Sequence, residues 1–245
     1  MLERHHAPAA ARPRTQHGHV ADALGRRILG GRRLSGERLP NEAELCAELG
    51  VGRGALREAV KSLEAKGLLE SRPRIGTRVT DREQWNFLDA DVLRWVRETR
   101  PDELARDLAD LRQSVEPGAA ALAAVRASPD DVTGIERAYA EMVRAAASTT
   151  LEGFATADLA FHLAVLKAAH NDLFTSLGHA VEVALLGSFM TGMQAPGAVE
   201  ASMPKHELLL SAIRVGDPDA ASAASAGLVA ASVHDFAVAT DGGAA

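Results

Sequence analysis

Apolar residues near the start of the chain recur at helical spacing. Val20, Leu24 and Ile28 lie four residues apart, so they share one face of a helix that the pattern predicts over residues 19–29. Two glycines follow directly and end this helix. Residues 1–17 show no such period and are rich in Pro, Ala, Arg and His, which indicates a flexible basic tail.

Two further short helices are predicted next, with a tight turn between them. The first begins at Asn41, whose side chain can cap it, and Glu44 three residues later completes a capping box. This helix ends at Gly50, and the helix after the turn ends at Gly67. The apolar stripe of the latter consists of Leu56, Val60 and Leu63.

Strand signals are confined to one place in the sequence. Residues 68–71 and 75–79 are short extended stretches on either side of Arg72-Pro73-Arg74, which predicts a small hairpin, or wing. After about residue 85, Ala-rich helical segments alternate with helix breakers, as in an antiparallel bundle of six or seven helices. The predicted breakers are Pro101, Pro129, Asn171, Pro196, Pro204 and Pro218.

Chain length and the distribution of charge both indicate two domains, in agreement with the predicted elements. A chain of 245 residues fits two ordinary domains. We expect a mainly α fold, with a winged helix-turn-helix over residues 18–80 and an all-α antiparallel helical bundle over residues 81–245. Residues 1–80 hold 15 Lys and Arg against 9 Asp and Glu, whereas the remainder holds 12 against 24. A basic first part indicates contact with a polyanion, which the acidic remainder does not share.

Composition also indicates the cellular compartment in which the protein is expected. No apolar run reaches the roughly 18 residues that cross a bilayer, and the basic N-terminus has no signal-peptide pattern. Cys46 is the only cysteine, which excludes an intramolecular disulfide and a cysteine-based zinc site. We therefore expect a cytoplasmic protein with no membrane partner.

The start of the third predicted helix has the chemistry of a DNA reader. In a helix-turn-helix, the second helix enters the major groove with its N-terminal residues first. Arg53 and Arg57 are one turn apart, and each guanidinium can bind guanine or a phosphate. Gly54 and Ala55 leave room for the helix end to approach the DNA backbone.

The wing adds further basic residues, among them Arg78, and Gly76 permits a tight tip. An isolated arginine cluster is usually a solvated face, but the order helix, turn, helix and hairpin favours DNA binding here. The predicted DNA-binding residues are Arg53, Gly54, Ala55, Arg57, Arg72, Arg74, Gly76 and Thr77.

The stretch LPNEAELCAELGVGRGALREAVKSLEAKGLLESRPRIGTRV resembles the winged-helix domain of the GntR superfamily of bacterial regulators. Members of that superfamily usually have a DNA-binding arginine where this chain has Ala43. The resemblance therefore implies operator DNA as the partner. Because Ala43 replaces that arginine, more of the DNA contact is expected from Arg53 and Arg57. The operator sequence that is commonest in the superfamily is therefore not implied for this chain.

The remainder resembles the ligand-binding domain of the FadR branch through LRQSVEPGAAALAA, ADLAFHLAVLKAAHN and KHELLLSAIRVGDPDAA. In many relatives an Asp, a His four residues later and two further histidines hold a divalent metal such as zinc, which grips a carboxylate ligand. The resemblance assigns the first three positions to Asp158, His162 and His206. The last falls near Leu228, which cannot ligate, and His234 is a poor substitute, so the expected metal site is incomplete.

Without a metal, the same three residues can form a buried polar pocket that hydrogen-bonds a polyhydroxy effector. Arg112 has two interpretations: a partner for an effector carboxylate, or an i,i+4 salt bridge with Glu116. The predicted effector-binding residues are Arg112, Asp158, His162 and His206.

The segment QWNFLDADVLRWV, together with EAELC, is similar to repressors of galactonate and related sugar-acid catabolism within that branch. Its Trp85 and Trp95 are predicted to pack in a core or between domains rather than against a ligand. We expect a homodimeric repressor controlled by a small carboxylate, a sugar acid or another organic acid. The alternatives are an effector-free DNA-binding protein and a metal-dependent enzyme built on Asp158, His162 and His206, which lacks a placed base or nucleophile.

Overall fold

A computed structural model describes residues 15–73, 75–147 and 150–241. The chain forms two compact units, the first ending at Arg100 and the second beginning at Pro101. The division falls 20 residues after the predicted boundary at residue 80. Most of the predicted basic tail, residues 1–14, lies outside the described residues.

The described part of the first unit has the helix-turn-helix and wing that the sequence predicts. Leu24 and Ile28 of the first helix and Leu56 and Leu63 of the third are buried in its core. Its elements are α1 (Gln16–Leu29), α2 (Glu42–Leu49), α3 (Arg53–Ala65), β1 (Leu69–Arg72), β2 (Gly76–Val79), a 3₁₀ turn (Arg82–Gln84) and α4 (Ala90–Thr99).

Local sequence chemistry sets the ends of these helices. The Asn41 side chain accepts hydrogen bonds from the backbone of Ala43 and Glu44, and the Glu44 carboxylate accepts one from the Asn41 backbone, so the predicted capping box is confirmed. Gly50 ends α2 in the left-handed conformation, where a side chain would be strained. Helix α1 begins at Gln16, earlier than the start that was predicted at residue 19.

The two strands form an antiparallel hairpin. Leu69 lies opposite Val79 and Arg72 lies opposite Gly76, whose φ of +92° gives the tip its tight turn. The backbone N–H of Leu39 donates to the Thr77 carbonyl, which ties the segment before α2 to the wing. The wing is therefore hydrogen-bonded to the segment that precedes the helix-turn-helix.

Residues 81–100 fold with the first unit rather than with the bundle. Trp95 of α4 is 1% exposed and lies over Gly25 of α1, where an added Cβ would come within 2.4 Å of the indole. The Lys66 ammonium contacts the Asp89 carboxylate at 2.8 Å. Burial of the large Trp95 side chain explains why this segment leaves the predicted bundle.

The second unit contains six helices within the part of the chain that is described. Pro101, Pro129 and Pro218 each occupy the first residue of a helix, where the missing N–H costs nothing. Pro204 was predicted to break a helix but lies inside one. The helices are α5 (Pro101–Arg126), α6 (Pro129–Ala146), α7 (Leu151–Ala168), α8 (Asp172–Gly192), α9 (Ala198–Val215) and α10 (Pro218–Asp241).

The expectation that no segment is long and apolar enough to cross a membrane needs correction. Among the described residues, Pro218–Ala239 of α10 passes that test by length and composition. Many of its apolar residues are alanines, and α10 packs against α5, α8 and α9. Ala221, Leu228 and Val229 are buried in those contacts, so one face of this helix belongs to the bundle.

Candidate DNA-binding face and effector site

Both predicted recognition arginines lie on the exposed side of α3. The Arg53 and Arg57 side chains are 74% and 66% exposed and share one partner, the Glu42 carboxylate of α2. Gly54 has open space on its Cβ side, since an added Cβ would meet no atom within 4 Å. The structure thus brings Arg53 and Arg57 to one exposed face of α3.

Glu42 holds the two guanidinium groups together. Its Oε2 accepts hydrogen bonds from Arg57 Nε and Nη2 at 3.3 and 3.2 Å, and its Oε1 lies 3.8 Å from Arg53 Nε. Sequence analysis did not single out this residue. Its position, one residue before the unusual Ala43, was the only available signal.

The wing presents a second set of polar groups. The Glu70 carboxylate contacts Arg72 on its own strand and Arg78 across the hairpin. The hydroxyls of Ser71 and Thr77 lie 2.9 Å apart on paired strand positions. Arg74 was predicted to bind DNA and lies outside the described residues.

The bundle contains a cavity of about 40 Å³ that opens to solvent. It brings together all four predicted effector-binding residues, which come from three different helices. Its polar lining includes Arg112 from α5, Asp158 and His162 from α7, His206 and Ser202 from α9, and Ser232 and Asp235 from α10.

Asp158, His162 and His206 converge on one point. Each is buried, and one ligand atom from each lies within 4.8 Å of the others, as in a metal-binding group. Asp158 Oδ1 is 2.7 Å from His206 Nε2 and 3.8 Å from His162 Nε2. Asp158 Oδ1 and His206 Nε2 are close, but they are not aligned for a hydrogen bond. A carboxylate and two imidazoles are a suitable donor set for zinc.

The outer hydrogen bonds of the imidazoles favour metal binding. His206 Nδ1 lies 3.0 Å from the Ser202 carbonyl oxygen, which can only accept, so Nδ1 carries the hydrogen. His162 Nδ1 faces Glu116 Oε2 at 2.9 Å. Nε2 of each ring faces Asp158 Oδ1 instead, at 2.7 Å for His206 and 3.8 Å for His162. Histidine ligands in metal sites commonly have this arrangement.

Arg112 and Glu116 form the buried salt bridge that was one of the two predicted interpretations. Arg112 Nε donates to Glu116 Oε1 at 2.6 Å, and Arg112 Nη1 donates to Ser232 Oγ at 3.1 Å. Burial would raise the pKa of Glu116, but the Arg112 guanidinium and His162 outweigh it and hold this pKa far below its usual range. Arg112 also lines the cavity, so the ion pair does not exclude contact with an effector.

The α10 side of the cavity contains Leu228, as expected from the sequence, and Asp235, which was not expected. Leu228 lines the cavity beside Asp158, His162 and His206, at the place where the fourth ligand was expected. His234 is exposed and does not line it. Asp235 does line it, and sequence analysis missed this residue. The available signal was its spacing, because Ser232 and Asp235 lie four and seven residues after Leu228, on one helix face.

Comparison with known proteins follows the division into two units. Residues 16–79 match the family model described as bacterial regulatory proteins, gntR family, and residues 107–231 match the FCD domain. The chain is 38% identical over 217 residues to the galactonate operon transcriptional repressor of Escherichia coli K12, which covers 88% of this chain and 94% of that protein.

Two further similarities agree with this result. The Glc operon transcriptional activator of Escherichia coli K12 is 34% identical over 157 residues, 63% of this chain and 61% of that protein. A solved structure of Streptococcus agalactiae GntR has 28% identity and a TM-score of 0.53, covering 89% of this chain and 99% of that one. The chain therefore belongs to the GntR family of bacterial regulatory proteins and carries an FCD domain, so it is a DNA-binding transcriptional regulator and not an enzyme.

Proposed function

We propose that the protein is a homodimeric repressor in the bacterial cytoplasm whose binding to operator DNA is controlled by a sugar acid of the galactonate type. The observation that carries this proposal is the cavity that unites Arg112, Asp158, His162 and His206 in a chain whose other unit exposes Arg53 and Arg57. The 38% identity to a galactonate operon repressor supports the choice of effector.

DNA recognition is assigned to the start of α3 and to the wing. Arg53 and Arg57 would leave Glu42 and bind base edges or phosphates in the major groove, since an arginine fork matches both. Arg72, Gly76 and Thr77 would contact the backbone beside it. A single α3 covers few base pairs, so specific binding requires two copies on two half-sites.

The effector site combines donors and acceptors in the way that a polyhydroxy carboxylate requires. The Arg112 guanidinium is a charge-assisted donor for the carboxylate, and Ser202 and Ser232 line the same cavity as partners for hydroxyl groups. Asp158, His162 and His206 would hold a divalent metal such as zinc. When bound, the metal would supply a positive charge for the carboxylate or a hydroxyl oxygen. Glu116 would keep His162 oriented and Arg112 in place.

The proposal is tested by fluorescence anisotropy with DNA from upstream of the protein's own gene. We expect specific binding in the nanomolar range at moderate salt, about 10⁻⁸ M or tighter. Galactonate should release the DNA, whereas galactose, which lacks the carboxylate, should not. Light scattering should give about twice the chain mass. Specific DNA binding that no sugar acid alters would contradict the effector, and a monomer on and off DNA would contradict the dimer.

A further inference from the structure

We infer that Asp235 selects the end group of the effector, favouring acids with a terminal hydroxyl and rejecting those with a second carboxylate. This inference rests on the proposed function, because it concerns the same cavity. Asp235 lines that cavity and is half-buried. Its side chain makes no hydrogen bond or ion pair with any residue that the structure describes.

The position of Asp235 along α10 places it away from the metal-binding group. Leu228, Ser232 and Asp235 occupy successive turns of one helix face, so Asp235 lies about 10 Å along the axis from Leu228. Ser232, between them, contacts Arg112 at 3.1 Å. A ligand whose first atoms lie near His162 and His206 therefore passes Arg112 before its far end reaches Asp235. This order matches an extended acid that carries several hydroxyl groups.

The charges in the cavity leave Asp235 as the uncompensated carboxylate. The Arg112 guanidinium is neutralised by Glu116 at 2.6 Å, and Asp158 is directed toward His162 and His206. The Asp235 carboxylate forms no ion pair among the described residues. An ionised carboxylate accepts hydrogen bonds and donates none. It therefore binds a hydroxyl hydrogen and repels another carboxylate at short range.

Two acids of equal length separate these cases. Galactonate ends in a CH₂OH group, and galactarate has the same four secondary hydroxyl groups but a second carboxylate in place of that terminal group. The difference in affinity between the two isolates the far end of the site, because every other group is common to both. Asp235→Asn keeps the shape of the side chain, removes the charge and adds a donor that a carboxylate can use.

Isothermal titration calorimetry on the zinc-loaded full chain gives the test. We expect the unaltered protein to prefer galactonate by at least about tenfold, and Asp235→Asn to reduce that ratio by about tenfold, mainly through tighter galactarate binding. Asp219→Asn is the matched control, since Asp219 is exposed on the same helix. This control should leave both affinities unchanged.

The outcomes separate the inference from the function on which it rests. Equal affinity of the unaltered protein for both acids, or the same ratio in Asp235→Asn, would overturn the role of Asp235 and leave the sugar-acid effector standing. Binding of neither acid by the unaltered protein would overturn the effector assignment, and the inference with it. A reduced preference for galactonate over galactarate in Asp235→Asn, but not in Asp219→Asn, would support the role of Asp235.

Discussion

Trp95 Nε1 donates a 2.9 Å hydrogen bond to the carboxylate of Asp22, 73 positions earlier in the chain. The same Asp22 oxygen accepts a hydrogen bond of 2.7 Å from Arg94 Nη2. Asp22 is 4% exposed and Trp95 is 1% exposed, so this polar contact is enclosed between α1 and α4. Hydrogen bonds and packing together hold α4 to the DNA-binding unit.

Asp22→Ala should therefore destabilise the first unit by about 2 kcal/mol, because it leaves the buried indole N–H of Trp95 without its acceptor and removes one of the two carboxylates to which Arg94 Nη2 donates. Both tryptophans of the chain, Trp85 and Trp95, lie in that unit, so tryptophan fluorescence during urea unfolding reports on it selectively. Asp22→Asn retains an acceptor and should cost less. An equal or greater loss in Asp22→Asn would show that the hydrogen bonds are not the source of the stability.

Arg53→Ala and Arg57→Ala should each weaken operator binding by about 1 to 3 kcal/mol if the guanidinium reads a base. Anisotropy titrations against operator and against unrelated DNA would separate base reading from phosphate binding, since a phosphate contact weakens both alike. Arg144→Ala is a control for charge, because Arg144 is exposed on α6 of the other unit. Unchanged operator affinity in both α3 variants would refute the assignment of the recognition helix.

Glu42→Gln should raise affinity for unrelated DNA by about two- to fivefold, since each exposed ion pair that it removes is worth up to about 1 kcal/mol. Its carboxylate competes with phosphates for Arg53 and Arg57 in the free protein. Operator affinity should rise less, so the specificity ratio falls. Glu48→Gln removes a carboxylate from the same helix that pairs with Arg27 instead, and should not change this ratio. A specificity ratio that Glu42→Gln leaves unaltered would contradict the prediction.

Leu228→His should tighten zinc binding by at least about tenfold, because it supplies a fourth protein ligand beside Asp158, His162 and His206. Competition with a chromogenic chelator would measure this affinity, and circular dichroism would confirm that the variant folds. Leu173→His, at a position that is 78% exposed on α8, serves as the control. Equal zinc affinity in folded Leu228→His and in the unaltered protein would exclude a metal at this point of the cavity.

Asp131→Ala should lower the free energy of unfolding by about 1 kcal/mol at neutral pH, and by less near pH 3. The Ser128 hydroxyl donates to the Asp131 carboxylate at 2.6 Å and, with His170, holds the pKa of Asp131 below its ordinary value. A carboxyl with a lowered folded pKa contributes fully above its unfolded pKa of about 4, and this contribution is lost as the pH falls through the folded pKa.

Urea unfolding at the two pH values, followed by far-UV circular dichroism, measures this difference. Asp130→Ala is the matched control, because Asp130 occupies the same first turn of α6 but is not the capping-box residue. A loss in Asp131→Ala that is independent of pH would show that the ionised carboxylate is not the stabilising form.

The helix ends of the first unit were predictable because their causes are local. Asn41 and Glu44 lie three residues apart, and Gly50 needs only its own conformation to end α2. Pro204 was misjudged because α9 continues beyond it. Burial of Leu209, Leu210 and Ile213 on the following turns outweighs the helical hydrogen bond that Pro204 cannot make.

The cavity-lining residues of α7 could be predicted from the sequence, whereas those of α10 were harder to predict. Asp158 and His162 lie four residues apart on one helix, which their sequence positions already require. The Ala-rich α10 has apolar residues around most of its circumference, so its sequence does not reveal which face lines the cavity. Asp235 was missed for that reason, and only packing against α5 and α9 identifies it.

The closeness of Gly25 to Trp95 also limits which sequences natural selection can accept. Every other amino acid adds a Cβ that would lie 2.4 Å from the indole, inside van der Waals contact. A mutational scan scored by loss of repression would therefore mark Gly25 as intolerant, although this residue touches neither DNA nor effector in the proposed function. A smaller side chain at position 95 should restore tolerance at position 25, so the two positions are expected to have changed together during the evolution of this family.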